Sequence, residues 1–361
     1  MNIEALFTQK PYSLSKETKH TFLAETLNLL INHHKTHCLA YHKILSATGI
    51  EHSSFSTIED MPFLSVRLFK DFALSSVQQT QVIKTLTSSG TTSQRLSQIT
   101  LDKETALYQT RALVNIVQDF IGKKRLPMLI IDSESIIRNR QTHSARGAGI
   151  LGISNFGKDH TYLLDEQMVL NVDTLERFLS VHKDEDILIF GFTFMVWSYL
   201  YKRLKEIGKS YDLGRATLIH SGGWKKLSEQ AVDNITFKAE LKQVCNLGRI
   251  YNFYGMVEQV GSIFMECTEG FLHAPNFADI IVRQPYDWSC APFNTNGIVE
   301  VLSILPHSYP GHILLTEDLG MIYGEDTCKC GRMGKYFHIE GRLPKAELRG
   351  CSDTHAYSPL H

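Results

Sequence analysis

The sequence predicts an α/β protein: a large N-terminal domain with mainly parallel sheets, followed by a smaller β-rich lobe. Residues 126–131 and 187–192 are compact apolar runs of strand length, the pattern of strands buried on both faces. Helical stretches alternate with them, which is the signature of a parallel sheet with crossover helices. From about Leu247 onward, strand-like stretches sit between Pro and Gly turns instead.

In chain order, residues 16–48 read as helix. Phe22, Leu23, Leu27, Leu29 and Leu30 recur at helical spacing, and Ser15 can cap the start. Residues 49–80 are mixed, with Met61-Pro62-Phe63-Leu64 as a short break. Residues 82–86 read as a short strand running into a Ser/Thr/Gly loop, and 101–120 as helix. The strand at 187–192 leads into a helix through Glu206. In the later part, 298–305 and 312–316 read as strands. The division expected is 1–246 as the α/β core, 247–342 as the β-rich lobe and 343–361 as a tail.

The 361 residues are 43% hydrophobic and 21% charged, with a formal net charge of −1. That balance suits an ordinary globular protein and gives no long-range pull toward nucleic acid or an anionic membrane. A small-molecule or protein partner is expected instead. No apolar run reaches the ~18–20 residues that span a bilayer, and residues 1–16 show no apolar signal core. The 7 cysteines are an odd count, which argues for reduced thiols, metal ligands or a reactive sulfur. A cytoplasmic location is expected.

The loop Thr87-Ser88-Ser89-Gly90-Thr91-Thr92-Ser93 surrounds a glycine with hydroxyls. Small residues let backbone N–H groups approach a phosphate, and hydroxyls donate to its oxygens. It follows a strand, where ligands collect in open α/β sheets. It lacks the Gly-Lys-Ser/Thr ending of a Walker loop. Taken alone, it fits a flexible linker equally well. Further along stand Ser221-Gly222-Gly223-Trp224, Tyr254-Gly255-Met256-Val257-Glu258, Thr316-Glu317-Asp318-Leu319-Gly320 and Gly341-Arg342. The third of these reads as a strand end with an acid before a turn.

This ordered set resembles the superfamily of acyl- and aryl-adenylate-forming enzymes. The resemblance implies that Ser89, Gly90, Thr91 and Thr92 hold the ATP phosphates and that Gly222 and Gly223 flank the adenine. It places Tyr254 and Gly255 near the base, Glu258 on Mg²⁺, and Asp318 and Arg342 on the ribose hydroxyls. A carboxylate suits both tasks, because Mg²⁺ prefers hard oxygen ligands and ribose O–H groups need acceptors. The chain departs from the pattern at Ser93-Gln94-Arg95-Leu96, where Arg95 is left to supply the positive charge, and at Val257. Singly, Tyr254 also reads as core, Glu258 as a surface charge and Asp318 as a turn former.

Cys328-Lys329-Cys330-Gly331 is a tight pair of thiols, and Cys267 with His273 forms a second pair. Thiolates and imidazole paired this way suit a closed tetrahedral zinc site with a structural role. The alternative is plain buried thiols and a surface histidine, with Cys245 and Cys290 as substitute ligands. The phenylacetate–CoA ligase branch of the same superfamily is similar at Glu266-Cys267, His273 and Cys328-Lys329-Cys330-Gly331-Arg332.

The chain ends soon after Arg342, and the C-terminal subdomain of full-length relatives is expected to be absent or reduced to a short tail. Cys351, beside Arg349 and near His355, is a candidate nucleophile toward an acyl-adenylate. An ordinary tail cysteine is the alternative. Together with Ser144-Ala145-Arg146-Gly147-Ala148-Gly149, Phe190-Gly191-Phe192-Thr193-Phe194, Gly222-Gly223-Trp224-Lys225-Lys226 and Ala346-Glu347-Leu348-Arg349-Gly350-Cys351, it resembles the LuxE-type acyl-protein synthetases. That resemblance implies a chain that activates a fatty acid with ATP and carries it on its own C-terminal cysteine. An acyl-CoA-reductase-type protein would be the partner. Arg146 can hold a carboxylate or a phosphate, and Lys345 can stand in for the superfamily's missing lysine. Phe190, Phe192, Phe194 and Trp197 fit either an acyl pocket or core. A phenylacetate-type CoA ligase and a catalytically idle nucleotide-binding subunit are the alternatives.

Overall fold

The computed structural model describes residues 3–50, 54–87, 96–138, 145–224 and 231–343. Its strands are β1 (Leu64–Ser65), β2 (Lys84–Thr87), β3 (Gln98–Leu101), β4 (Leu126–Ser133), β5 (Gly157–Leu164), β6 (Ile187–Phe192) and β7 (Ala216–Ser221). They continue with β8 (Arg249–Tyr254), β9 (Phe264–Glu266), β10 (Leu272–His273), β11 (Ala278–Arg283), β12 (Gly297–Ser303), β13 (Ile313–Glu325) and β14 (Lys335–Arg342).

A 12-stranded sheet runs in the order β11-β12-β13-β14-β10-β9-β8-β7-β6-β4-β5, with β1 added on β13. Pairing is parallel from β5 to β8 and antiparallel from β8 to β11. The change of texture near Leu247 therefore marks a change of pairing direction within one continuous sheet.

The parallel part follows from its residues. Along β4, Met128 and Ile130 enter one core, and Leu129 and Ile131 enter the other. The helix Lys103–Ile121 covers the first face through Ala112, Ile116 and Val117. The second face is covered by Leu175 and Phe178 from Val172–Val181, Leu200 and Leu204 from the helical run after β6, and Phe237 and Leu241 from Asn234–Cys245. Asp102, Asn171 and Asp233 cap these helices with side-chain oxygens that accept from backbone N–H groups three residues on.

The helix expected over 16–48 is two helices, Lys16–His37 and Leu39–Ala47, separated by a buried, extended Cys38. No Gly or Pro marks the break, because packing rather than local propensity sets it. The segment preceding β2 packs on the antiparallel part of the sheet. Lys19 Nζ lies 3.6 Å from Asp279 Oδ1, and Lys335 Nζ lies 3.3 Å from Asp279 Oδ2. Burial works to raise the Asp279 carboxyl, but the two ammonium groups outweigh it and hold it below its ordinary value.

Farther along the same helix, His34 stacks on His312 with ring centroids 4.8 Å apart. Its Nδ1 meets the Ser76 hydroxyl at 2.7 Å and its Nε2 meets the Pro306 carbonyl at 3.0 Å, an arrangement that suits the neutral ring. Burial pushes His34 well below its usual value, and pushes His220 and His312 down to about 3. The unfolded state therefore takes up protons first, and stability is lost as the pH falls through about 6.5 toward 3. Between pH 7.5 and 5.5, each of His220 and His312 is expected to remove about 1.4 kcal/mol, roughly 3 kcal/mol together. Urea unfolding across that range measures the loss, and a flat profile would contradict it.

Candidate active site and metal centre

The C-terminal ends of the central parallel strands form one row. Ile130 pairs in register with Phe190, which puts Asp132 level with Phe192. Phe192 pairs with Ser221, and Ser221 pairs with Phe253. This is the edge at which open α/β sheets bind ligands. Gly222, just past β7, has φ +83° and is exposed, as is Gly223. A Cβ at Gly222 would sit 3.1 Å from the Phe192 ring, so glycine serves both the backbone turn and the close approach. Gly255 is likewise exposed, directly after β8.

Tyr254, Asp318 and Arg342 converge at this edge. The Tyr254 hydroxyl donates to Asp318 Oδ2 at 2.6 Å, and Arg342 Nε lies 3.5 Å from Asp318 Oδ1. Asp318 and Arg342 are register partners across β13 and β14. Burial and the Asp318 carboxylate hold the Tyr254 phenol well above its ordinary range, so it acts as a donor. Arg342 is 80% exposed and Asp318 is 14% exposed, which leaves the cation on the open side. The acid expected before a turn at Asp318 instead lies within β13, which continues to Glu325. The pairing with β14 shifts register between Leu319 and Gly320, and a Cβ at Gly320 would lie 2.6 Å from the His338 carbonyl. Gly320 thus permits a bulge and a close strand approach, and a lone glycine in the sequence does not distinguish these from a turn.

Glu258 lies in the single turn Val257–Gln259 just after β8 and is buried. Burial raises its carboxyl, and the neighbouring Ser97 hydroxyl acts against that rise. Ser97 immediately precedes β3, so Glu258 lies beside the start of that strand. A buried carboxylate of raised pKa is a fitting hard-oxygen ligand for Mg²⁺ shared with phosphates. Ser89, Gly90, Thr91, Thr92 and Arg95 lie outside the described residues. The strand before that segment corrects one expectation. β2 belongs to a separate antiparallel ribbon with β3, not to the parallel sheet, because Lys84 and Thr85 are exposed and offer no core face.

The four proposed zinc ligands do meet. The donor atoms of Cys267, His273, Cys328 and Cys330 all lie within 4.8 Å of one another. Cys267 Sγ is 3.9 Å from Cys328 Sγ, and Cys330 Sγ is 3.3 Å from His273 Nε2. A tetrahedron with Zn–S bonds of ~2.3 Å has S···S edges of about 3.8 Å, close to the Cys267–Cys328 separation, so the donor set suits the ion. Burial pushes His273 down to about 4, which keeps a lone pair on its ring, and pushes Cys328 up to about 12. A zinc ion would reverse the latter, since a coordinating thiol loses its proton. Gly331, at φ +78°, turns the chain behind Cys330, and the Arg332 N–H points at Cys330 Sγ. Cys245 is buried in the core and Cys290 is exposed, and neither joins the cluster.

Arg146, on the helix Ala145–Ser154, lies with Nε 3.0 Å from Asp132 Oδ2. Sequence reading missed Asp132; its signal was an acid closing an apolar strand. Phe190 and Trp197 are core, whereas Phe192 is half-buried at the row of strand ends. Lys345 and Cys351 lie outside the described residues.

Comparison with known proteins gives the family and the fold. The family model for acyl-protein synthetase, LuxE, matches residues 2–357. The long-chain-fatty-acid–luciferin-component ligase of Vibrio harveyi is 26% identical over 153 residues, an alignment covering 41% of this chain and 39% of that protein. The fold resembles a 2-hydroxyisobutyryl-CoA ligase, solved in an open conformation with 2-HIB-AMP and CoA. The TM-score is 0.70 at 13% identity, covering 92% of this chain and 71% of that one. The same ligase in its postadenylation state also gives a TM-score of 0.70, at 14% identity and with 93% and 70% of the two chains covered. Among the described residues, no helix is long and apolar enough to cross a membrane. With a family match over nearly the whole length and an adenylate-forming fold beneath it, the chain belongs to the LuxE family of acyl-protein synthetases.

Proposed function

We propose that the protein activates a long-chain fatty acid with ATP and carries the acyl group as a thioester on Cys351. The observation that carries this reading is the Tyr254–Asp318–Arg342 cluster at the strand ends, with the buried Glu258 beside Ser97 just after β8. Family membership and the fatty acid in the name of the Vibrio harveyi relative supply the substrate class.

In the first step a carboxylate oxygen attacks the α-phosphorus of ATP, and pyrophosphate leaves. Asp318 accepts from the ribose hydroxyls, oriented by the Tyr254 hydroxyl, and Arg342 flanks the same sugar. Gly222, Gly223 and Gly255 let the adenine lie against backbone. Ser89, Gly90, Thr91 and Thr92 donate to the phosphates, and Arg146 meets the anionic oxygens of the acid or nucleotide. Glu258 would hold Mg²⁺, which offsets negative charge on the phosphates. Lys345 is assigned the cation near the α-phosphate. In the second step the Cys351 thiolate, having lost its proton to solvent, attacks the acyl carbon, and AMP leaves. Cys267, His273, Cys328 and Cys330 would hold a structural Zn²⁺, which would join the β9–β10 hairpin to the β13–β14 connection. The acyl group passes to an acyl-CoA-reductase-type protein or an acyltransferase, in the cytoplasm.

Incubation with ATP, Mg²⁺ and radiolabelled fatty acids tests the reading. Label is expected on the protein, released by hydroxylamine and absent from Cys351→Ser, while pyrophosphate release persists. Label found only as acyl-CoA after CoA is added makes CoA the acceptor. No acid-dependent pyrophosphate release rejects activation altogether.

A further inference from the structure

Asp132 is 1% exposed at the end of β4. The Ser133 N–H donates to its Oδ1 at 2.7 Å, and Arg146 Nε lies 3.0 Å from its Oδ2 as an ion pair without hydrogen-bond geometry. A carboxylate taken out of water costs several kcal/mol, which its ion pair only partly returns, so stability alone does not account for an acid here.

The helix that carries Arg146 is held to the strand ends at a second point. Gly149 lies three residues beyond Arg146, on the same helix face. A Cβ there would lie 3.1 Å from Phe192 Cζ, and one at Gly222 would lie 3.1 Å from Phe192 Cδ1. Two glycines thus close on the Phe192 ring, and Asp132 stands two residues after Ile130, the partner of Phe190 on the neighbouring strand. The ring sets how close the helix comes, and the carboxylate sets where the guanidinium points.

We propose that Asp132 is the positioning residue of the acyl-activating site: its charge holds the Arg146 guanidinium by an ion pair on the Nε side, leaving the terminal amino groups to meet the anionic oxygens of the bound acid or nucleotide. A guanidinium is a rigid planar fork, so fixing one edge orients the rest. The proposal rests on the assignment of Arg146 to that site.

Acid-dependent pyrophosphate release by the full chain, with ATP, Mg²⁺ and tetradecanoate, tests it. Asp132→Asn is expected to lower kcat/KM for the acid roughly 10- to 100-fold, the scale of a misplaced catalytic group. Asp132→Glu, which keeps the charge and adds a methylene, should recover part of the loss. Arg146→Lys should show a loss of its own, and the double variant Asp132→Asn/Arg146→Lys should be no worse than Arg146→Lys. Losses that multiply in the double variant, or Asp132→Asn at the wild-type rate, overturn the proposal. An Arg146→Lys variant at the wild-type rate removes Arg146 from the site, and Asp132 with it; Cys351→Ser labelling would be unaffected and still tests the overall reaction. Thermal melting accompanies each variant. If Asp132→Asn does not fold, Asp132→Ser carries the test, and the wild-type rate in that variant overturns the proposal.

Discussion

Cys328→Ser should purify nearly free of zinc, whereas the wild-type protein should carry close to one ion per chain. The substitution removes one of four donors whose separations match tetrahedral edges. The remaining Cys267 and His273 are buried, so they lose a cation and gain no water. The consequence reaches beyond the site, because Cys267 and His273 belong to the β9–β10 hairpin and Cys328 and Cys330 to the connection between β13 and β14. Without the ion, that connection is held by contacts such as the Met333 N–H to the Tyr12 carbonyl at 3.1 Å and the Arg332 ion pair with Asp119 at 2.8 Å. Structural zinc binds with about 10–16 kcal/mol in small peptides, and part of that energy should appear here as folding stability. A fall in melting temperature of roughly 10 °C is expected. Metal analysis of protein purified without chelator, paired with calorimetry, checks both parts. Zinc-free wild-type protein with an unchanged melting temperature in Cys328→Ser would reject the centre.

Asp318→Ala should lower kcat/KM for ATP by about 100- to 1,000-fold, on a scale of ~1.5–3 kcal/mol for each hydrogen bond to a charged group. Two effects add. The ribose hydroxyls lose a charged acceptor, and the Tyr254 hydroxyl is left inside without the partner it holds at 2.6 Å. Arg342 also loses the carboxylate that fixes it. A discrimination test separates ribose binding from general damage. The wild-type protein should use 2′,3′-dideoxy-ATP poorly, and Asp318→Ala should use it about as well as it uses ATP. A variant that still prefers ATP by the wild-type ratio would show that Asp318 does not read the ribose.

The strands at 126–131 and 187–192 were legible because burial on both faces leaves an apolar run that no other element of that length explains. The site motifs were legible as types, since a carboxylate, a glycine turn and a thiol pair each imply a chemistry. The π-helical turn Val196–Tyr201 carried no comparable mark, nor did the break at Cys38. Gly320 was read as part of a turn, although it serves a bulge in a strand that runs on to Glu325.

Composition, strand runs and the order of motifs, read along the chain alone, determined the α/β class and the family. Only the tertiary structure decided which groups meet. Tyr254 reaches Asp318 across 64 residues, and His34 reaches the Pro306 carbonyl across 272. Such contacts depend on strand order, and β10 pairs with β14 while β8 pairs with both β7 and β9. Hydrophobic periodicity says that a strand is buried, not which strand lies beside it. The Asp132–Arg146 pair stayed invisible for that reason: each residue is ordinary alone, and only the packing of one helix across the strand ends brings the charges within 3.0 Å.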